Sequence, residues 1–283
     1  MQDGTGFKEF YPSLCNIEQR ISTVEQYVRA VDCAFKTLTA GHEDIKFNQK
    51  LWFRGVKNSD YALLPSIARK DLSVECELMY LSKFKSKALS YLDGINLNMN
   101  NDDIETYWNW LFLMHYHGVP TRLLEWTEDA LVALVFAIDP DVSEDERGKD
   151  AAVWCLNPVV LNTAFTFHEY YPAGYIPNIY EKGVYEMFGP FRNTFKNDKP
   201  AAVYGPMNNI GMIIQRVAYT VFPYAVPLTD MRNLPDSRKY LYKIVIDKNA
   251  KEPIAGQLKR FGITKKSISG KLSSLAQEIA EDD

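Results

Sequence analysis

The stretch that most constrains this chain runs from Ala130 to Ile138, nine consecutive apolar residues with no polar side at helical spacing. A helix that is apolar all round has to be enclosed by other parts of the protein. Nine residues also fall far short of the ~20 needed to cross a bilayer. The segment therefore calls for layers on several sides, and 283 residues supply a real core in one or two units. Thr127 is predicted to cap this helix with Glu128 and Asp129 at its positive dipole end, and Asp139-Pro140 to stop it.

Composition narrows the class. Apolar residues at 46% and charged residues at 24% exclude a disordered or collagen-like chain. A net charge of −4 lacks the basic footprint of a dedicated nucleic-acid binder. The small basic area Lys259-Arg260 with Lys265-Lys266 reads more simply as a solvated face. The opening Met1-Gln-Asp-Gly-Thr-Gly is polar and acidic, so a cytoplasmic protein with no membrane partner is expected. Cys15, Cys33, Cys76 and Cys155 are far apart, which predicts four reduced thiols, and four scattered histidines predict no metal site.

Along the chain, Ser22-Thr-Val-Glu25 predicts a capping box opening a helix whose apolar face is Val24, Tyr27, Val28, Val31, Phe35 and Leu38. Leu51 to Gly55 reads as a strand, with Tyr61 to Leu64 as its neighbour. A second helix is expected from Ser73 to Gly94, and a third from Asp102-Asp103 to Gly118. Strands are expected at Ala151–Leu156, Ala218–Phe222 and Tyr240–Ile246, irregular loops over 163–211, and a short helix between Glu252-Pro253 and Gly262. The fold class is α+β: a helix-rich N-terminal half on a small mixed or antiparallel sheet from the second half. Residues 1–45 are expected as a helical extension and 46–283 as one domain.

Phosphate-loop, dinucleotide, zinc-protease and serine-hydrolase motifs are missing. Three polar clusters remain. In Trp52-Phe53-Arg54-Gly55 the guanidinium of Arg54 either grips a phosphate or carboxylate or pairs internally, while Gly55 lets a ligand approach the main chain. His115 to Thr127 packs two imidazoles, a guanidinium, a carboxylate and two hydroxyls between apolar helices. Such groups pair with one another or with a ligand, because unpaired burial costs about 1–3 kcal/mol each. Arg122 and Glu125 either pair and fix the turn or line a site, and His115 or His117 is either an acid or base or a structural ring. The third cluster, Ile214 to Thr220, offers Gln215 as a polar contact at a sheet end.

In this order the blocks resemble the FRG domain, a family of mostly bacterial proteins. Phe53-Arg54-Gly55 with Leu64-Pro65-Ser66 and Arg69 is similar to its opening block, and His117-Gly-Val-Pro-Thr-Arg-Leu-Leu-Glu-Trp-Thr127 to its most recognisable one. The strand at 152–158, Gln215 with Thr220, Tyr242 to Ile244 and Gly262-Ile263 are similar to its later blocks. The chain departs from the pattern at Val56, Tyr116, Glu125, Val217 and Tyr219.

The layout is also similar to that of ADP-ribosyltransferases. That likeness implies NAD as a substrate, with no resident cofactor. Arg54, Glu125, Gln215 and His117 would then form the catalytic set, with Phe53, Gly55, Tyr61, Thr121, Arg122 and Thr127 around the ligand. Arg54 would grip NAD and Tyr61 would stack on nicotinamide. Gln215 would stand near the place of the catalytic carboxylate, whose charge Glu125 would have to supply. Partners would be a small-molecule nucleotide or a protein target. The alternative is a non-catalytic ligand- or protein-binding module, with a role in bacterial conflict or phage defence compatible with the family.

Overall fold

The structure, a computed structural model, describes residues 18–42, 50–88, 91, 104–140, 143–165, 171–172, 174–190, 199–207, 210–224, 227–271, 274 and 276. Its frame is a seven-stranded mixed sheet. The strands are β1 (Glu18–Ile21), β2 (Trp52–Val56), β3 (Leu123–Thr127), β4 (Ala151–Leu156), β5 (Ala201–Val203), β6 (Val217–Val221) and β7 (Leu241–Ile246), in spatial order β1-β7-β4-β2-β3-β6-β5. β1 runs parallel to β7 and every other neighbouring pair is antiparallel.

This corrects the expected segregation of strands into the second half, since β1, β2 and β3 all lie before residue 128. β3 was hidden inside the segment read as a polar connection. Leu124 and Trp126 face one side of the sheet and Leu123 the other, so the strand shows no apolar–polar alternation. Tyr61–Leu64 is not a strand. Leu63 N donates to the Asp230 carboxylate and its carbonyl accepts from Met231 N, which fixes this segment as a loop.

The helices are α1 (Val24–Thr39), α2 (Ser66–Arg69), α3 (Glu75–Ala88), α4 (Ile104–Tyr116), α5 (Ala130–Ile138), α6 (Glu144–Arg147), α7 (Pro158–Ala164), α8 (Lys182–Phe188), α9 (Ile210–Ile214) and α10 (Lys251–Arg260). The expected caps Gly94, Asp102 and Asp103 lie outside the described residues. Thr23, one place later than expected, caps α1 by accepting from Gln26 N, and the Gln26 side chain accepts from Ser22 N in return. The buried face of α1 is Tyr27, Ala30, Ala34 and Leu38, while Val28 and Phe35 point outward. Small alanines let the helix lie close to its neighbours, and Tyr27 Oη donates to the Ala130 carbonyl at 2.6 Å. Asp129, not Thr127, caps α5, its carboxylate accepting from Leu131 N and Val132 N.

Paired residues share a sheet face, so register assigns the layers. Phe53, Val153, Cys155, Ile244 and Ile246 pack under α1, α5 and α10, with α5 enclosed as its sequence required. Leu123, Val217, Tyr219 and Val221 continue that face under α4 and α8. Trp52, Leu124, Trp126, Trp154 and Leu156 form the opposite face beneath α7 and the loops around Leu63 and Met231. Residues 18–42 thus build on the same sheet and core as the rest. Cys33 is disulfide-bonded, whereas Cys76 and Cys155 are free, which corrects the expectation of four reduced thiols. Among the described residues no helix is long and apolar enough to cross a membrane.

Gly55 sets how closely β2 meets α5. A Cβ there would overlap the Ala133 carbonyl oxygen and lie 2.7 Å from Ala137 N, both backbone atoms of α5. The sequence reading reserved that space for a ligand; the helix fills it. Gly55→Ala is expected to destabilise the protein by about 2–3 kcal/mol through overpacking, seen as a lower urea midpoint. A change below 0.5 kcal/mol would show that the helix shifts freely.

Candidate functional site

β2 keeps five residue pairs with β4, and β3 keeps five with β6, but β2 and β3 share only Phe53 with Thr127. Beyond that pair the two strands part. In the gap Arg54 Nη1 donates to the Glu125 carbonyl at 2.6 Å, so a side chain replaces the missing ladder bonds. A cavity of about 290 Å³ opens at this seam. Phe53, Arg54, Gly55, Tyr61, Glu125, Thr127 and Gln215 all line it, which brings together seven of the ten residues named from sequence. Arg69, Lys57 and Phe136 stand in the same walls.

The lining is cationic. Burial first, then the Arg69 guanidinium, push Arg54 down to about 10 from the usual arginine range, and Glu125 works the other way. Arg54 therefore remains charged at neutral pH, at a cost to the fold that an anion in the cavity would offset. Arg69 closes the last turn of α2, stands exposed at the rim, and has no hydrogen-bond or ion-pair partner for its side chain among the described residues. Lys57 Nζ is held 3.1 Å from Asp139. Among the described residues Glu125 is the one carboxylate in the lining, with its side chain 38% exposed.

The far wall is fastened from behind. Thr127 Oγ1 donates to the Gln215 carbonyl and accepts from Asp129 N. The Gln215 side-chain amide donates to the Ile268 carbonyl at 3.0 Å. Arg216, next in sequence, holds a left-handed φ of 47°, a conformation that costs on the order of 1 kcal/mol for a non-glycine residue.

Three expected site residues stand elsewhere. His117 lies in a separate apolar groove with Tyr80, Phe84, Leu113 and Val119. Thr121 is fully buried behind the cavity, exchanging bonds with Ser66 and contacting His115 Nδ1 at 2.7 Å. Arg122 is fully buried, and its partner is Glu77, not Glu125. Its Nε meets Glu77 Oε1 at 2.8 Å, Nη2 the Tyr107 hydroxyl at 2.9 Å and Nη1 the Phe222 carbonyl at 3.2 Å. Trp108 and Tyr224 flank the guanidinium at 5.6 and 5.4 Å. This is a structural knot joining α3, α4 and the start of β3, fully buried and outside the cavity lining.

The catalytic and ligand set implied by the ADP-ribosyltransferase likeness omits Arg69 and His115, although the sequence offers His115 as a candidate acid or base. Arg69 was visible in the block after Leu64-Pro65-Ser66, but nothing local aimed it at Arg54. His115, ten residues before Glu125, reaches it only because the chain reverses at Gly118, where φ is 77°. Among the described residues no cluster of three His, Cys, Asp or Glu side chains is placed to hold a metal ion.

A family model described as FRG domain matches residues 49–146. The chain contains an FRG domain. The matched span carries Arg54, Arg69, His115 and Glu125, while the FRG match stops short of Gln215 and of β4 to β7. No curated protein and no solved structure matches the chain.

The Arg122 knot gives a direct test. Arg122→Met leaves the Glu77 carboxylate buried without its cation and is expected to cost on the order of 3–5 kcal/mol. Arg122→Met combined with Glu77→Leu should recover part of that loss in urea unfolding. A single-variant loss under 1 kcal/mol would contradict the assignment.

Proposed function

We propose that the FRG domain uses the seam cavity to bind a phosphate-bearing nucleotide, with NAD as its substrate, and transfers or releases the ADP-ribosyl group. The observation that carries this reading is the sharing of one cavity by Arg54 and Glu125, which lie 71 residues apart in sequence. Arg54 and Arg69 offer two guanidinia to a pyrophosphate, the anion such forks fit best. At about 290 Å³ the cavity is at the small end for a ligand site. It suits the nicotinamide-ribose end, with the adenosine outside and Tyr61 at the rim as an aromatic face.

The chemistry is balanced without a metal or redox partner. The bond between ribose C1′ and the nicotinamide nitrogen breaks, and its electron pair leaves with nicotinamide. The ribosyl oxocarbenium ion that develops is stabilised by the Glu125 carboxylate. Water or a target side chain then bonds to C1′ and gives up a proton. Gln215 supplies no charge and keeps the wall in place.

A second reading is a binding module without turnover. It is favoured by the engagement of the Gln215 amide with Ile268, which turns that donor away from a ligand.

Thermal stabilisation by NAD, ADP-ribose and inorganic phosphate, alongside chromatographic detection of nicotinamide, separates the two. Ligand at 100 times its Kd should add about 2.7 kcal/mol of stability. Arg54→Gln is expected to weaken binding at least about tenfold, while Glu125→Gln should bind normally and lose about 10²–10³-fold in nicotinamide release. Stabilisation with no release by the wild type would leave the binding module. Equal release by Glu125→Gln would remove the carboxylate mechanism.

A further inference from the structure

Among residues outside the cavity lining, His115 stands apart, because it touches the working carboxylate while its other nitrogen is held from behind. Its Nε2 lies 3.5 Å from Glu125 Oε2, and its Nδ1 lies 2.7 Å from Thr121 Oγ1. The His115 side chain is 13% exposed, and its ring sits edge-on to Tyr219 at 5.9 Å between centroids. Tyr219 pairs with Glu125 directly across the β3–β6 ladder, so one tyrosine borders both the imidazole and the acid.

Thr121 engages the ring nitrogen that faces away from Glu125. Its hydroxyl oxygen already accepts from Leu123 N at 3.4 Å, and its carbonyl accepts from Ile67 N and from Ser66 Oγ. With a Glu125 oxygen facing Nε2, the tautomer that suits both contacts carries its N–H on Nε2 and accepts the Thr121 hydroxyl proton at Nδ1. At 3.5 Å this contact is longer than a hydrogen bond. It works as an electrostatic tether, close enough to bias the rotamer of the carboxylate and loose enough to leave its oxygens for a ligand. Because Thr121 is also bonded to the first residues of α2, the helix that ends in Arg69, one buried threonine sets the imidazole and the rim cation together.

We propose that His115, seated on Thr121, is the positioning residue for Glu125, holding its carboxylate toward the cavity it shares with Arg54. This rests on the reading of that cavity as the working site, and it adds a residue that acts on the ligand only through Glu125. The nearest alternative, a purely structural imidazole, would affect stability without selecting a carboxylate conformation.

Two variants separate these roles. His115→Phe keeps the ring shape and loses the N–H, whereas His115→Gln keeps a side-chain donor. His115→Phe is expected to lower kcat for nicotinamide release about tenfold with KM within about twofold, and His115→Gln to recover most of that loss. Crystal structures of the wild type and both variants supply a readout that needs no turnover. The Glu125 carboxylate should turn from the cavity in His115→Phe and keep its wild-type rotamer in His115→Gln. An unchanged Glu125 rotamer in His115→Phe, or a kcat equal to wild type in a well-folded variant, overturns the positioning role. Absence of nicotinamide release by the wild type would count against the functional reading alone, and the crystal structures would still decide the role of His115.

Discussion

At the middle of the sheet, backbone pairing gives way to a side chain. β2 and β3 share the pair Phe53–Thr127, and beyond it the Glu125 carbonyl is satisfied by Arg54 instead of by a strand. That substitution keeps seven strands in one sheet while leaving a hollow between two of them. It also places a guanidinium where burial disfavours its charge. The opening and its cationic character thus have a single origin. The close approach of α5 to β2 at Gly55 holds the other wall, since a helix touching strand backbone cannot drift toward the gap.

Two buried polar knots keep this opening in shape. Arg122 with Glu77 and Tyr107 ties α3 and α4 to the first residues of β3. Thr121, one residue earlier, ties α2 and the end of α4 to the same point. Thr121, Arg122 and Glu77 are fully buried, and the first two lie directly upstream of Glu125, so the acid, the imidazole and Arg69 are referred to one rigid origin. Such networks hold their geometry because breaking one member strands a polar group away from water.

The sequence made some of this legible and hid the rest for physical reasons. Ala130–Ile138 announced a buried helix because an all-round apolar segment has no other place to go. Arg54, Glu125, Gln215 and Thr127 were legible as polar residues set in apolar surroundings, and they meet in one cavity with Tyr61, which only the ADP-ribosyltransferase likeness suggested. β3 was not legible, because a strand buried on both faces and carrying a glutamate has neither period to show. Arg122 and Thr121 looked like ligand groups for the same reason that they are structural: buried polar residues need partners, and residue type alone cannot say whether the partner is Glu77 or a substrate. His117 and His115 differ by two residues, yet one faces an apolar groove and the other the acid, a choice made by the turn at Gly118.

The outer edge of the sheet offers a control for the seam. There Asn162 acts as a substitute strand for β5, its amide donating to the Ala202 carbonyl at 3.0 Å and its oxygen accepting from Ala202 N at 2.8 Å. Ala202 turns one donor and one acceptor outward and both are used, so the edge is closed to further pairing there. Arg54 performs the same service for β3 with a group that carries five N–H donors, and among the described residues it makes one hydrogen bond. A neutral amide would have sufficed to satisfy the Glu125 carbonyl. Placing a guanidinium there, with a second one from Arg69 nearby and desolvation opposing its charge, leaves a surplus of donors and positive charge directed at the cavity. An anionic ligand fills that surplus, and the repair of the sheet alone does not require it.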